Sequence, residues 1–231
     1  MDAILTQLRD LPNPSASDPV AEANHRIANN LSLLMSMVRM QASSVARLAD
    51  TFSAADMRQA LEAVAARIGT IGQLHRILSR TPFNGAISLQ PHLREVSAAL
   101  VGALSSPGQE VRVEHRGNDC LVPIRQVQPI VLIFCEVFIN AMKYAHPSNV
   151  PLVIGVDCLG GADGRLVIAV EDDGVGLPEG FDIAHGSGLG FRVIRSLAAE
   201  LGAELSVLSS PLGLCFRLSL PAAAMPGGKL S

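Results

Sequence analysis

Tryptophan is absent from this sequence of 231 residues, and tyrosine occurs once beside seven phenylalanines. A surface that stacks nucleic-acid bases needs exposed aromatic rings, so this shortage argues against such a surface. Lysine and arginine are scattered rather than clustered, and the formal net charge is −3. That distribution predicts no basic patch for nucleic acid. We therefore expect no nucleic-acid partner.

Cysteine is also scarce, and long apolar runs are missing. The four cysteines show no CxxC pairing and lie in apolar stretches, which is typical of buried reduced thiols in a cytoplasmic protein. The first residues have neither the basic nor the apolar region of a signal peptide. The most apolar run, 127–138, contains Gln128, Pro129 and Glu136 and is too short to span a bilayer. These features predict a cytoplasmic protein without membrane insertion.

A helical hairpin is predicted over residues 18–80, after an N-terminal segment, 1–17, that is rich in proline and serine toward its end. Asp18 and Pro19 suit the N-cap and the first position of a helix. Apolar residues then recur in steps of four and three to about Leu48, and the same spacing returns in a second helix. The seam of that second helix, from about Ala54 to Leu78, comprises Met57, Leu61, Val64, Ile68, Ile71, His75 and Leu78.

The two helices of the hairpin are joined by only a few residues, so they should pack antiparallel. A hairpin of this size buries little apolar surface by itself, since one face of each helix needs a further partner. Two hairpins that pair as a four-helix bundle would cover those faces. We therefore predict a homodimer.

Helices and strands are mixed in the next segment, 86–222, which a turn cluster at 81–85 separates from the hairpin. The predicted helices cover about 90–104, 127–145 and 190–201, and the predicted strands lie near 111–115, 152–158, 166–171, 204–208 and 214–220. The late strands follow one another through tight turns, which favours an α+β sandwich. The last residues, 223–231, are predicted to form a flexible tail.

The segment 136–145 places polar groups on one side of an otherwise apolar helix. Glu136, Asn140, Lys143 and Tyr144 lie at positions i, i+4, i+7 and i+8. An amide oxygen can bind Mg²⁺, an amine can meet a phosphate, and a carboxylate can orient a metal-bound water. This stripe indicates a ligand site, and an ordinary solvated helix face is the alternative.

A second candidate site follows the strand predicted at 166–171. Asp172 is succeeded by Gly174 and Gly176, which permit a tight turn close to a ligand. A buried carboxylate at this point can accept a hydrogen bond from an exocyclic amine such as N6 of adenine. An ordinary turn would show the same spacing.

Three glycines stand at the start of the helix predicted at 190–201. The segment Gly186-Ser187-Gly188-Leu189-Gly190 would expose backbone N–H groups at a helix N-terminus, where the helix dipole favours phosphate. Taken alone, such a glycine pattern is weak. The GKT or GKS ending of a P-loop and the βαβ context of a dinucleotide-binding fingerprint are both missing.

In this order and spacing, the three segments resemble the N, G1 and G2 boxes of the GHKL ATPase superfamily, which includes DNA gyrase, the MutL proteins and the histidine kinases. The resemblance implies a catalytic ATP-binding domain over 86–222, with Mg²⁺ held by Asn140 through ATP and adenine read by Asp172. The short segment between the second and third boxes fits the histidine kinases better than the large ATPases. The implied ATP contacts are Asn140, Lys143, Tyr144, Asp172, Gly174, Gly176, Gly186, Ser187, Gly188, Leu189 and Gly190.

Residues 22–31 resemble the phosphoacceptor motif of histidine kinases of the HWE-related class, E-x-H-H-R-V-K-N-N-L-Q. His25 matches the phosphorylated histidine, whereas Asn24, Ala28 and Ser32 depart from the motif. His25 also lies one position beyond the bundle seam, where solvent and a nucleotide domain can reach it. A neutral imidazole at such a place accepts a phosphoryl group near pH 7. An ordinary surface histidine is the alternative.

Three further residues are candidates for catalysis beside His25. Glu22 could orient the imidazole or take its proton, and Asn29 could place a water for dephosphorylation, as the corresponding polar residue does in related kinases. Solvation of a helix surface is the alternative for both. Glu136 of the helical stripe completes the set.

The function expected from the sequence is ATP-dependent autophosphorylation of His25, followed by transfer of the phosphoryl group to an aspartate of a response-regulator receiver domain. No sensor domain is recognisable, so we expect the signal to come from a separate sensor protein or from a domain outside this chain. The first rival is a phosphotransfer adaptor or phosphatase without autokinase activity, against which the intact nucleotide motifs argue. A serine kinase of an anti-sigma antagonist would need neither the acceptor histidine nor the hairpin. A non-catalytic protein that sequesters a regulator would bind no ATP.

Overall fold

The computed structural model describes residues 54–78, 85–105, 108–146, 150–161, 164–178, 181 and 189–222, and for 54–56, 59–60 and 73–78 it describes the backbone alone. These residues belong to one compact unit that spans Val38–Ser231. The first helix of the predicted hairpin therefore lies outside the described residues, as does the side chain of His75.

Four helices and seven strands occur within the described residues. The helices are α1 (Ala54–Leu78), α2 (Gln90–Leu104), α3 (Ile124–Tyr144) and α4 (Leu189–Leu201). The strands are β1 (Ala86–Ser88), β2 (Val111–Gly117), β3 (Leu121–Pro123), β4 (Leu152–Gly160), β5 (Leu166–Asp172), β6 (Glu204–Ser210) and β7 (Gly213–Leu220). This mixture confirms the α+β class, and each predicted strand is present with one or two more residues than expected.

Five strands form one sheet in the order β2-β4-β5-β7-β6. Neighbouring strands run antiparallel except for β2, which lies parallel to β4. Hydrophobic residues alternate along β4 and β5, so that Ile154, Val156, Ile168 and Val170 are buried. Helix α3 packs on this face of the sheet, which gives the sandwich that the sequence predicted.

Helix α3 is the central element and is apolar on nearly every side. It packs against the sheet and also contacts α1, α2 and α4. Phe134 and Phe138 pack as a tilted pair with 5.5 Å between their ring centroids, and burial of such a side chain contributes ~1.5–3 kcal/mol. Among the described helices, α3 is the one long and apolar enough to cross a membrane. However, 78% of its most apolar stretch is buried within the protein, as in a core helix.

Helix α3 begins at Ile124 rather than at the predicted Val127, because the chain enters it directly from β3. Strands β1 and β3 pair in a small antiparallel sheet, and the Ile124 N–H donates to the Gly85 carbonyl at 3.0 Å. Neither strand is predicted from the sequence, since three residues carry no recognisable alternation. This small sheet fixes where the central helix starts.

Helix α1 has two distinct sides. Ala63 and Thr70 are buried on the side where α1 packs on α2 and α3. Leu61 and Ile68 of the predicted seam are 62% and 45% exposed, whereas Ile71 of the same seam is buried. The exposed part of the seam is the surface that a helix bundle would cover, and the bundle itself stays a prediction.

Candidate active site

The first residue of the polar stripe on α3 is buried, although it is an acid. Glu136 is 3% exposed, Asn140 and Lys143 are partly buried, and Tyr144 at the end of the helix is 71% exposed. Their spacing brings the first three to one side of α3. Burial of a carboxylate is costly unless the group is paired. The solvated-face alternative is therefore wrong for Glu136.

Arg67 of α1 supplies the partner of Glu136 through two parallel hydrogen bonds. Its Nε donates to Oε1 at 2.5 Å and its Nη2 donates to Oε2 at 2.9 Å. The two side chains are 11% and 4% exposed. A fork of this kind fixes the direction of the carboxylate and also compensates its charge. No pattern in the sequence pointed to Arg67, because its partner lies on another helix.

Lys143 belongs to the same charged cluster. Burial lowers the pKa of its ammonium, the nearby Arg67 guanidinium lowers that pKa further, and the Glu136 carboxylate opposes both effects. With Lys143 protonated, the three side chains carry two positive charges and one negative charge. The cluster therefore has a net positive charge, which favours a phosphate.

Helix α4 begins against this cluster, and a glycine makes the approach possible. A Cβ atom on Gly190 would lie 3.1 Å from Oε2 of Glu136 and 3.6 Å from Nδ2 of Asn140. The first turn of α4 thus meets α3 at the acid and the amide. Free N–H groups and the helix dipole make such a helix start favourable for anions. Leu189 is the first residue of α4, and Gly186, Ser187 and Gly188 lie outside the described residues.

The acid at the end of β5 is held by the backbone on two sides. Oδ1 of Asp172 accepts hydrogen bonds from the N–H groups of Gly174 at 3.0 Å and Leu214 at 3.3 Å. Burial raises the pKa of Asp172, and the two backbone hydrogen bonds oppose that rise. Within the described part of the chain, no hydrogen bond reaches Oδ2. The carboxylate is buried, with Asp172 6% exposed, and its role as the adenine contact stays a prediction.

The loop after Asp172 is attached to the C-terminal end of α3. The Val175 N–H donates to the Ala145 carbonyl at 2.9 Å, and Oδ1 of Asp173 lies 3.0 Å from Nε2 of His146. A Cβ atom on Gly174 would lie 2.4 Å from the Ala145 carbonyl oxygen. The glycine therefore lets the loop reach the helix. No pattern in the sequence predicts the contact between His146 and Asp173, although each directly follows a predicted site element.

Gly176 has a positive φ of 71° and lies close to the end of β6. A Cβ atom there would be 2.3 Å from the Ser210 carbonyl oxygen. The Oγ of Ser209 also accepts a hydrogen bond from the Leu177 N–H at 2.8 Å. Gly176 therefore has a structural role as a turn residue, because it shapes the loop that carries Asp172.

Both candidate clusters lie along α3, with Glu136, Asn140 and Lys143 on one side of the helix and the Asp172 loop at its C-terminal end. Tyr144 lies at the same end with its side chain exposed. The predicted phosphoacceptor His25 and its neighbours Glu22 and Asn29 lie outside the described residues. Their roles stay predictions.

The described residues suit a magnesium ion that arrives with a nucleotide. They contain no group of three or more histidine, cysteine, aspartate or glutamate side chains that could hold a metal by themselves. Asn140 offers an amide oxygen beside the start of α4, where Gly190 leaves room. Mg²⁺ is commonly bound by one or two protein oxygens together with phosphates and waters. The donors present fit that mode of binding.

The order of these parts along the chain defines a class of protein. The polar helix comes first, the Asp172 loop second and the start of α4 third, which is the order of the N, G1 and G2 boxes that the sequence resembles. A family model for histidine kinase-, DNA gyrase B- and HSP90-like ATPases matches residues 126–224. A second model, for histidine kinases, matches residues 22–104. The chain belongs to the histidine kinases.

Individual relatives have the same description. The chain is 27% identical over 203 residues to blue-light-activated histidine kinase 2 of Erythrobacter litoralis. The matched stretch covers 87% of this chain and 56% of that protein. It is also 26% identical over 211 residues to the sensor histidine kinase PdtaS of Mycobacterium tuberculosis. That match covers 89% of this chain and 40% of that protein. The chain thus spans about half the length of these relatives.

One solved domain structure is similar to this chain over nearly the whole length of that domain. It is the histidine kinase domain of a blue-light-activated histidine kinase from Erythrobacter litoralis, which matches with a TM-score of 0.66 at 26% identity. The match covers 87% of this chain and 92% of that domain. These relatives and this domain are described as histidine kinases, and none of them is described as an adaptor or a phosphatase.

Proposed function

We propose that this chain is an ATP-dependent histidine autokinase that phosphorylates His25. The observation that carries the proposal is the meeting of α3 and α4, where Gly190 brings a helix start against Glu136 and Asn140. The buried acid Asp172 lies at the far end of the same helix. Within a chain of the histidine kinase family, these features supply both ends of a nucleotide site.

The nucleotide would be held from its base to its phosphates by residues along α3. Oδ2 of Asp172 accepts a hydrogen bond from the exocyclic amine of adenine, while the loop of Gly174 and Gly176 keeps the backbone close. Lys143 and the N–H groups at the start of α4 face the phosphates. Asn140 holds Mg²⁺, which neutralises charge on the phosphates when it is bound.

The phosphoryl transfer forms one bond and breaks another. A ring nitrogen of His25 attacks the γ-phosphorus of ATP, the bond from that phosphorus to the bridging oxygen breaks, and ADP leaves. Glu22 takes the proton from the ring, and Asn29 positions water when the phosphohistidine is hydrolysed. Most of the rate comes from positioning and from neutralised charge.

The partner of the phosphohistidine is a response-regulator receiver domain, whose aspartate oxygen takes the phosphoryl group and returns His25 to its free form. Two copies of the chain associate through the helical hairpin, and a separate sensor protein supplies the signal. We place the protein in the cytoplasm. The burial of α3, its most apolar described helix, supports that location.

The test of this function is incubation of the purified chain with γ-labelled ATP and Mg²⁺. We expect acid-labile, base-stable label on the wild-type chain and none on His25→Ala or Asp172→Ala. The matched control is His75→Gln, which changes the other histidine of the hairpin and should leave the label in place. Label that survives in His25→Ala would disprove the assignment of the acceptor. Binding of ATP without any label on the wild-type chain would favour an adaptor or phosphatase.

A further inference from the structure

The ion pair between Arg67 and Glu136 joins the hairpin helix α1 to the helix that carries the nucleotide site. Both side chains are almost fully buried, and both oxygens of Glu136 are taken by the guanidinium. A buried ion pair is seldom retained for stability alone, because desolvation offsets most of its attraction. Its position suggests another role.

The position of Glu136 creates an electrostatic difficulty for a nucleotide. Its Oε2 lies where α4 begins, 3.1 Å from the place that a Cβ of Gly190 would take. The phosphates of the proposed site would lie at this same helix start. An uncompensated carboxylate there would repel them strongly, since charges interact over several ångströms in a partly buried site.

We propose that Arg67 is a positioning residue for the nucleotide site: it fixes the Glu136 carboxylate and neutralises its charge beside the phosphates. The inference rests on the proposed function and adds to it a residue from outside the ATP-binding domain. Arg67 acts through Glu136 and need not touch the nucleotide. Helix α1 of the hairpin thereby contributes to the binding of ATP.

The test follows from the sum of the charges of Arg67 and Glu136. The wild-type pair sums to zero, Arg67→Gln leaves −1, Glu136→Gln leaves +1, and the double variant returns to zero. We expect ATP affinity to fall on the order of tenfold in Arg67→Gln and to rise several-fold in Glu136→Gln. The double variant should return to within about threefold of wild type, as expected for residues that act as a pair.

The affinities are measured by calorimetric titration of the full chain with ATP in EDTA, which separates the charge from any role of Glu136 toward Mg²⁺. Arg67→Lys keeps the positive charge and should bind ATP almost as the wild type does. The matched control is Arg58→Gln, which removes the same charge from an exposed pair with Glu62 on the same helix. The control should leave the affinity unchanged.

A merely structural role for Arg67 predicts a different pattern. Loss of folding would lower the thermal midpoint, but it would not make Glu136→Gln bind ATP more tightly than the wild type. If Arg67→Gln does not fold, the comparison of Glu136→Gln, the double variant and the wild type still decides the question. Equal affinities in those three chains, or a double variant no better than Arg67→Gln, would overturn the inference.

The outcome separates this inference from the proposed autokinase. With Mg²⁺ present, we expect the double variant to bind ATP and yet to label His25 poorly, because it lacks the Glu136 carboxylate. If Arg67→Gln binds ATP with unchanged affinity and the wild type is labelled normally, the role of Arg67 is disproved and the proposed autokinase is not affected. A wild-type chain that binds no ATP would overturn the proposed function, and the role of Arg67 with it.

Discussion

At the scale of single residues, Asp172 is an acid whose burial works against its charge. Burial raises its pKa above the ordinary value of 3.8, although the N–H groups of Gly174 and Leu214 oppose the shift. Between the ordinary pKa and the raised one, the folded chain holds more protons than the unfolded chain. Stability therefore falls as the pH rises through that window and stays lower above it.

Asp172→Asn should accordingly stabilise the fold at pH 7 while it removes ATP binding. The amide keeps an oxygen for the two backbone donors but has no charge to desolvate, and its NH₂ group would oppose the adenine amine. We expect a gain on the order of 1 kcal/mol in the free energy of unfolding. The gain should shrink as the pH falls through the window, which denaturant titrations at several pH values would measure.

The neighbouring acid provides the control for this prediction. Asp173 is exposed and close to His146, so Asp173→Asn should not reproduce the gain. A lower stability of Asp172→Asn at neutral pH would mean that the Asp172 charge is favourable in the fold. That result would disprove the claim that burial of the Asp172 charge destabilises the fold.

At the scale of elements, the loop between β5 and α4 depends on a glycine in the left-handed region. Gly176→Ala would place a Cβ in a strained conformation and 2.3 Å from the Ser210 carbonyl oxygen. We expect a loss of roughly 1–3 kcal/mol in stability and weaker ATP binding, because the loop carries Asp172. Thermal unfolding and nucleotide titration would measure the two effects.

Gly102 of α2 offers a matched glycine without these constraints. A Cβ added there meets nothing within 4 Å, and alanine is the better helix former by up to ~1 kcal/mol. Gly102→Ala should therefore hold or raise the midpoint and leave ATP binding unchanged. No loss of stability in Gly176→Ala would show that the clash at Gly176 is relieved by a shift of β6.

The sequence predicted those elements whose ends carry local signals. Helices α1 and α2 have the predicted bounds, because apolar spacing and adjacent turns define them. It did not predict β1 and β3, which have three residues each and no alternation. The start of α3 was misplaced for the same reason, since β3 leads into it.

The site was predictable where its motif is continuous and unpredictable where the partners are distant. Asn140 and Asp172 follow from spacing within short segments. Arg67 is separated from Glu136 by 69 positions, and Leu214 from Asp172 by 42. Pairing rules that apply within one helix or one turn give no information about such contacts. These partners are known only once the fold brings the elements together.

At the scale of the whole molecule, α1 presents an apolar stripe that its own domain does not cover. Leu61 and Ile68 are 62% and 45% exposed on the predicted seam. The double variant Leu61→Glu, Ile68→Glu should convert a dimer into a monomer, because two carboxylates per chain would be buried in the bundle. Light scattering after gel filtration would measure the mass, and ATP affinity should change by less than about twofold.

Glu62 provides an exposed position on the same helix that is turned away from Leu61 and Ile68. Glu62→Lys should leave the mass unchanged, which would show that an altered charge on α1 is harmless by itself. A wild-type chain that elutes as a monomer at every concentration would contradict the dimer. So would a double variant that stays dimeric.

The hydrogen bond from the Leu214 N–H to Asp172 joins the end of β5 to β7, which lies 42 positions later in the sequence. Contacts that close such long loops form late in folding. During synthesis the polar helix and the Asp172 loop leave the ribosome well before β7. The adenine end of the site therefore lacks one of its two backbone supports until β7 has emerged and docked. A nascent chain would have the acceptor helix long before it had a complete place for ATP, so kinase activity would begin only after β7 has emerged and docked.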